Sequence, residues 1–135
     1  MSRRIVVHSL EQARAAIAAA AELGVPLTLT SAVGAGGSVG PLWFKSLIDA
    51  AQTEHPAVNL TAVLDCADEA GTALGALRAG LKCVRFTGRA EVRARIAAIA
   101  AELGATIDAE PTPDQLDLLD LADPRSAARA YLARN

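Results

Sequence analysis

Strand and helix signals alternate along most of the chain, and this alternation is the feature that most limits its fold. Short runs of β-branched and apolar residues are each followed by a longer Ala-rich run of helical character. Such alternation favours parallel strands joined by helical crossovers. We therefore predict an α/β domain with five parallel strands in sequential order. The predicted strands are residues 4–8, 26–31, 58–65, 82–87 and 105–109, and the predicted helices are residues 10–23, 41–54, 67–79 and 89–103.

Residues that satisfy free backbone groups mark the helix boundaries. Ser9 is placed to cap the first helix, and Gln12 three residues later fits a capping box. Gly24 stands where a helix ends in a left-handed residue. Pro41 suits the first turn of the next helix, and we expect the Gly-rich segment 34–40 before it to be a loop.

The C-terminal part of the chain breaks the alternation. Two prolines interrupt it, and two short helices are predicted after them, over residues 113–121 and 124–132, with Asp123 as the N-cap of the second. We expect residues 1–110 to form the α/β part and residues 111–135 to form a helical extension of the same compact domain.

The predicted strands carry apolar side chains on one face and a mixture of polar and apolar side chains on the other. A doubly wound sheet is covered on both faces, so its central strands should be apolar on both. Because side chains alternate between faces, helices on one face only, as in a half (β/α)-barrel with a polar concave face, fit this pattern better. A doubly wound, flavodoxin-like open sheet is the alternative. The mixed face carries Val6, His8, Thr28, Thr30, Asn59, Thr61, Val63, Asp65, Cys83, Arg85, Thr87, Thr106 and Asp108.

A half-barrel leaves two sheet edges free, and free edges invite pairing with further strands. Either the C-terminal segment folds over the opening or two chains associate. We predict a homodimer or a higher oligomer with apolar C-terminal residues at the contact. These residues are Leu116, Leu118, Leu119, Leu121, Tyr131 and Leu132.

The composition narrows the compartment and the partners. A net charge of −2 and few aromatic residues argue against a nucleic-acid binder. No apolar run reaches the roughly 20 residues that cross a bilayer, and the N-terminus does not read as a signal peptide. We therefore expect neither a nucleic acid nor a membrane as partner. Cys66 and Cys83 lack the spacing of zinc-binding cysteines, so we expect both thiols to be free in a reducing cytoplasm.

Several segments in one colinear order carry a family resemblance. They are residues 9–17 with 22–31, the helix from Trp43 to His55, the strand end Val63-Leu64-Asp65 and the segment 79–88, AGLKCVRFTG. Over residues 5–108 they resemble the N-terminal half-barrel of class II, zinc-dependent fructose- and tagatose-bisphosphate aldolases.

The resemblance implies roles for two residues and the loss of others. It places Asp65 at the position of the family's proton-transfer Asp, and Cys66 where the family has a metal-binding His. Thr87-Gly88-Arg89 stands where the family has Asp-Gly-Ser. The family's further His ligands come from strands that lie beyond this sequence. We therefore expect no cofactor and no aldolase activity, with zinc held by Cys66 and His8 as the weaker alternative, since a cysteine thiolate can ligate zinc.

Ligands of parallel sheets gather at the carboxyl ends of the strands, which makes the side chains there candidates for a site. The candidate catalytic residues are Asp65, His8 and Cys66. Each of them also has a structural interpretation. Asp65 could form an ion pair with Arg85, and we favour this interpretation because the pair neutralises two partly buried charges. His8 could form a hydrogen bond to a neighbour, and Cys66 could be an inert buried residue.

The remaining candidate residues would suit the binding of an anionic group. Arg85 could hold it by charge, and the amides of the Gly-rich segment and the helix start after it could favour it as well; a flexible connection is the alternative for that segment. The candidate ligand-binding residues are Arg85, Thr87, Ser31, Gly36, Gly37 and Ser38.

Two classes of function follow from these residues. The first is an aldolase-like protein without aldolase activity that binds a small anionic ligand or a protein partner. The second is a small lyase or isomerase that acts on a phosphorylated, sugar-like substrate at a site completed by oligomerisation. Because the set of metal ligands is incomplete, the sequence favours the first.

Overall fold

A computed structural model describes residues 3–111 and 114–134. Pro113, where a helix was expected to begin, lies outside the described residues. The strands are β1 (Arg3–Val6), β2 (Leu27–Thr30), β3 (Leu60–Asp65), β4 (Cys83–Arg85), β5 (Thr106–Asp108) and β6 (Gln115–Asp117). The helices are α1 (Leu10–Leu23), α2 (Ala35–Ser38), α3 (Pro41–Gln52), α4 (Ala70–Arg78), α5 (Ala90–Glu102) and α6 (Pro124–Leu132).

The strands form a parallel sheet in the order β5-β4-β3-β2-β1-β6. This confirms the predicted α/β class and the sequential order of the first five strands. The arrangement is compatible with a half-barrel and with an open sheet. None of the helices among the described residues combines the length and the apolar character that a bilayer crossing requires.

The sixth strand is a correction, because a helix was predicted over residues 113–121. Instead β6 pairs in parallel with β1, with Ile5 opposite Leu116, and the N–H of Leu118 donates to the carbonyl of Val6 at 3.1 Å. Leu116 and Leu118 are two residues apart, which is the period of a strand with one inward face. Pairing with an open edge of β1 outweighs the weak helical tendency of this short segment.

Several residues expected at an intermolecular contact are instead buried inside the chain. Leu118, Tyr131 and Leu132 belong to the core of this chain, so their predicted place at a contact between copies is wrong. Leu119 and Leu121 do remain exposed. The C-terminal segment therefore covers the β1 edge by itself, which was one of the two remedies expected for an open sheet.

Contacts divide the chain into two compact units, each assembled from separated segments. The first unit comprises Met1–Thr30, Ser46–Thr61 and Pro113–Asn135. The second comprises Ser31–Lys45 and Ala62–Thr112. The C-terminal segment thus shares a unit with the N-terminal strand and helix.

In the first unit, α1 packs against α6. The buried positions of α1 are Ala13, Ala16, Ile17, Ala19 and Ala20, and the small alanine side chains allow close approach of the neighbouring elements. The predicted helix start is confirmed, because Ser9 Oγ accepts a hydrogen bond from the N–H of Gln12 at 3.1 Å. The Gln12 side chain accepts from the N–H of His8, one residue before the cap, at 2.7 Å. Gly24 ends α1 with φ +65°, as expected of a left-handed cap.

In the second unit, β4 pairs in parallel with the end of β3 and with β5. Its core contains the large buried side chains Leu64, Leu77, Val84, Phe86 and Ile96. The Gly-rich segment is not a simple loop, because four of its residues form α2. Gly34 precedes this helix with φ +72°, a conformation that glycine adopts without strain.

Substitution of Leu118 tests whether β6 is anchored as described. Leu118→Ala is expected to lower the free energy of unfolding by about 2–4 kcal/mol, because it leaves a cavity under the edge strand. Leu119→Ala is the matched control: this side chain is 52% exposed, and its loss should change stability by less than about 0.5 kcal/mol. Urea unfolding of both variants measures the difference. Equal losses would show that the segment does not dock in this register.

Candidate functional site

The carboxylate of Asp65 is held in place at the end of β3. Its Oδ1 accepts hydrogen bonds from the N–H of Ala67 at 2.8 Å and from the N–H of Gly34 at 3.2 Å. The bond to Ala67 closes an Asx turn, and Ala67 has φ +50°, an unusual value for a residue with a side chain. The backbone N–H of Asp65 donates to Ser31 Oγ at 2.9 Å. Asp65 and Ser31 are therefore joined, and both are buried.

Arg85 lies between two carboxylates. Its Nε is 3.6 Å from Asp65 Oδ2, and its Nη1 donates to Asp108 Oδ2 at 3.2 Å. The three side chains are only 6–12% exposed. Two negative charges already face this one cation, so an anionic ligand would have to displace a carboxylate to reach it. The geometry agrees with the structural interpretation of Asp65 and Arg85 as an ion pair, extended by Asp108.

Cys66 follows Asp65 and is fully buried. Its thiol lies 3.7 Å from the carbonyl oxygen of Leu64 and can donate to it. Burial, together with the nearby charges of Asp65 and Glu69, raises the pKa of the Cys66 thiol from 9.0 to about 12. At neutral pH the sulfur therefore keeps its proton. Since nucleophilic attack and zinc ligation both require a thiolate, this environment suits a packing role.

The glycines of α2 allow the helix to lie against the turn after β3. A Cβ on Gly36 would stand 2.9 Å from Cys66 Sγ and 3.0 Å from the Thr72 methyl group, and a Cβ on Gly37 would stand 2.6 Å from Glu69 Oε1. Position 36 therefore requires glycine, because Cys66 and Thr72 fill the space that a side chain would occupy. This close packing gives a structural reason for a Gly-rich stretch that also resembles an anion-binding loop.

Most backbone amides of the Gly-rich segment already have acceptors. Gly34 donates to Asp65. Gly37 donates to the carbonyl of Gly34, and both Val39 and Gly40 donate to the carbonyl of Ala35. An anion would have to compete with these internal bonds. Ser38 is exposed, and its hydroxyl lies 3.5 Å from the Ala35 carbonyl.

His8 lies in the first unit. Its Nε2 is 2.7 Å from Asp117 Oδ1, and Asp117 Oδ1 also accepts from the N–H of Leu119 at 2.9 Å. The pair joins the end of β1 to the end of β6. The structural alternative for His8, a hydrogen bond to a neighbour, matches this geometry.

The second unit brings together Asp65, Cys66, Arg85, Ser31 and Gly36. Thr87 follows β4 with an exposed side chain, and its N–H donates to the carbonyl of Ala67 at 2.8 Å. Within residues 3–111 and 114–134, no group of three or more His, Cys, Asp or Glu side chains is placed to hold a metal ion.

Two partners in these clusters were not assigned from the sequence. Asp108 was visible as an acidic residue at the end of a predicted strand, and the sequential strand order places it beside Arg85. Asp117 fell within a predicted helix, so no signal connected it to His8. Neither a scan against models of protein families nor a search of the curated proteins finds a match to this chain.

Replacing Arg85 tests whether the cluster is structural. Arg85→Met leaves Asp65 and Asp108 without their shared counter-charge and should cost about 3–5 kcal/mol of unfolding free energy. Arg89→Met is the control, since Arg89 is 77% exposed and its ion pair is with the exposed Glu91; it should cost less than about 1 kcal/mol. Chemical denaturation gives both values. A loss for Arg85→Met no larger than the control would contradict a structural role.

The thiol of Cys66 predicts a specific dependence of stability on pH. Its raised pKa means that the unfolded chain releases the proton near pH 9.0 while the folded chain holds it to about pH 12. The contribution of the protonated Cys66 thiol to the free energy of unfolding is therefore complete below pH 9.0 and is lost as the pH rises toward 12. Unfolding free energies of Cys83→Ala and of Cys66→Ala/Cys83→Ala, measured across this range, should show a steeper alkaline decline for the first variant. Parallel declines would refute the assignment.

Proposed function

We propose that this protein is a non-catalytic binding domain that associates with a second copy of itself. The observation that carries the proposal is a group of exposed large apolar side chains in the second unit, called here the 33–43 patch: Val33, Val39, Leu42 and Trp43.

The residues of the 33–43 patch lie close together in the sequence. Its four residues fall within eleven consecutive positions, and Val33 and Leu42 are 82% and 67% exposed. Single exposed apolar residues are ordinary on a protein surface, whereas a concentration of them marks an interaction site. Trp43 adds the aromatic anchor that is enriched at the centre of protein interfaces.

The residues at the strand ends are already held by hydrogen bonds, ion pairs or burial, which supports a non-catalytic role. Asp65 accepts two backbone hydrogen bonds and faces Arg85, Arg85 also meets Asp108, and Cys66 is buried. A lyase or isomerase acting on a phosphorylated substrate would need these groups available to that substrate. A small anionic ligand at Arg85 is disfavoured for the same reason. The resemblance to class II aldolases stays a prediction, and the proposal does not depend on it.

Self-association accords with the oligomer expected from the sequence, although the surface differs. Leu118 and Leu132 are enclosed within the chain, whereas the 33–43 patch is open to solvent. The free thiols of Cys66 and Cys83 support a place in a reducing cytoplasm as part of the same proposal.

Leu42→Ser tests the proposal in solution. The wild-type chain should sediment as a dimer at high concentration and dissociate on dilution, and Leu42→Ser should weaken the dimer by about tenfold or more, which corresponds to about 1.4 kcal/mol. Leu119→Ser is the matched control, an exposed leucine of the first unit whose change should leave the dimer intact. Sedimentation velocity across a dilution series measures both. A wild-type chain that stays monomeric at every concentration, or equal weakening by both substitutions, would reject the 33–43 patch as the contact.

A further inference from the structure

A cavity of about 540 Å³ lies in the first unit, and its lining contains none of the candidate catalytic or ligand-binding residues. It is formed by the end of α1 with the connection to β2, and by the connection from α3 to β3. Its lining comprises Ala20, Ala21, Gly24, Val25, Pro26, Glu54, His55, Pro56, Ala57, Val58 and Asn59. These segments precede β2 and β3, so the cavity lies at the amino ends of these strands. Its volume falls within the range of about 300–1,000 Å³ that is typical of small-molecule sites.

The wall of the cavity combines apolar and polar groups. Alanine, valine and proline account for seven of its eleven lining residues, and Glu54, His55 and Asn59 supply the polar side chains. A wall of this kind buries a small apolar body while a few polar groups fix its orientation.

The charges around the cavity favour a cation. α1 and α3 both end beside it, and neither helix has a basic residue in its last turn. A helix carboxyl end carries a partial negative charge, equivalent to about half an electron charge. Glu54 adds a full negative charge, and within the described part of the chain it forms no ion pair. Glu54 and His55 also line a smaller neighbouring cavity, together with Arg14 and Arg125. Of these two arginines, Arg125 is paired with Glu22.

We propose that this cavity binds a small organic cation, namely a primary amine or ammonium group attached to an apolar or aromatic body. The ammonium group lies toward Glu54 and the two helix carboxyl ends, and the apolar body lies against the Ala, Val and Pro wall. Three hydrogen-bond donors on a primary ammonium group match the acceptor oxygens that the side chains of Glu54 and Asn59 offer. The site shares no residue with the 33–43 patch, so it stands or falls independently of self-association.

Three probes with one carbon skeleton test the proposal: 4-phenylbutylamine, 4-phenylbutanol and 4-phenylbutyrate. Each is titrated into the uniformly ¹⁵N-labelled full chain, and amide chemical shifts are followed. The amine should bind most tightly, the alcohol less tightly and the carboxylate least, with shifts concentrated in residues 20–26 and 54–59. No shift with the amine, shifts centred elsewhere, or an affinity for the alcohol or the carboxylate that equals or exceeds that for the amine would overturn the proposal.

Glu54→Gln separates the charge contribution from the apolar contribution. It should weaken amine binding by about two- to fivefold, the magnitude expected for one exposed charge contact, and leave alcohol binding unchanged. Glu102→Gln is the control, because Glu102 is an exposed glutamate at the end of α5 in the second unit. Unchanged amine binding in Glu54→Gln, or an equal loss in both variants, would remove the assigned role of Glu54 and with it the preference for a cation.

Discussion

The shared ion pair of Arg85 with Asp65 and Asp108 is the interaction on which the second unit depends. These three charges come from the ends of β3, β4 and β5 and are almost wholly removed from water. Removing a charge from water costs several kcal/mol, and the cost is offset only when the partners are close and further hydrogen bonds satisfy the remaining oxygens. The amides of Gly34 and Ala67 provide those bonds to Asp65. The same contacts position the turn after β3 and the start of the Gly-rich segment.

These contacts bear on how the candidate active-site residues at the strand ends are interpreted. An acid, a base, a thiol and a cation at the strand ends of a parallel sheet are the components of many enzymes. Here Arg85 already meets two carboxylates, Cys66 is closed off from water, and Gly36 is needed because Cys66 and Thr72 lie against it. These contacts agree with the structural interpretation of the strand-end residues. The surface that we propose for self-association is the 33–43 patch, and the site that we propose for a small ligand is the cavity beside Glu54.

In the first unit, packing of small side chains takes the place of a large charged cluster. The buried alanines of α1 let its neighbours come close, and α6 adds Ala128, Tyr131 and Leu132 to the same core. Salt bridges from Arg125 and Arg129 to Glu22 lie at the surface, where such pairs contribute little. β6 completes this unit by pairing with an edge that β1 would otherwise expose. A three-residue strand is stable there only because its neighbours are already in place.

The sequence by itself determined the alternation of strands and helices, the helix ends at Ser9, Gly24 and Asp123, and the order of the first five strands. These features depend on side-chain period and on local capping bonds, which are encoded within a few residues. Only the tertiary structure decided that residues 115–117 form a strand, that α2 lies within the Gly-rich segment, and that Asp117 pairs with His8. Each of these depends on a partner far away in the chain, and short segments have too little intrinsic preference to settle their own conformation. The cavity beside Glu54 could not be predicted for the same reason. Its wall is formed by residues 20–26 and 54–59, which are far apart in the sequence.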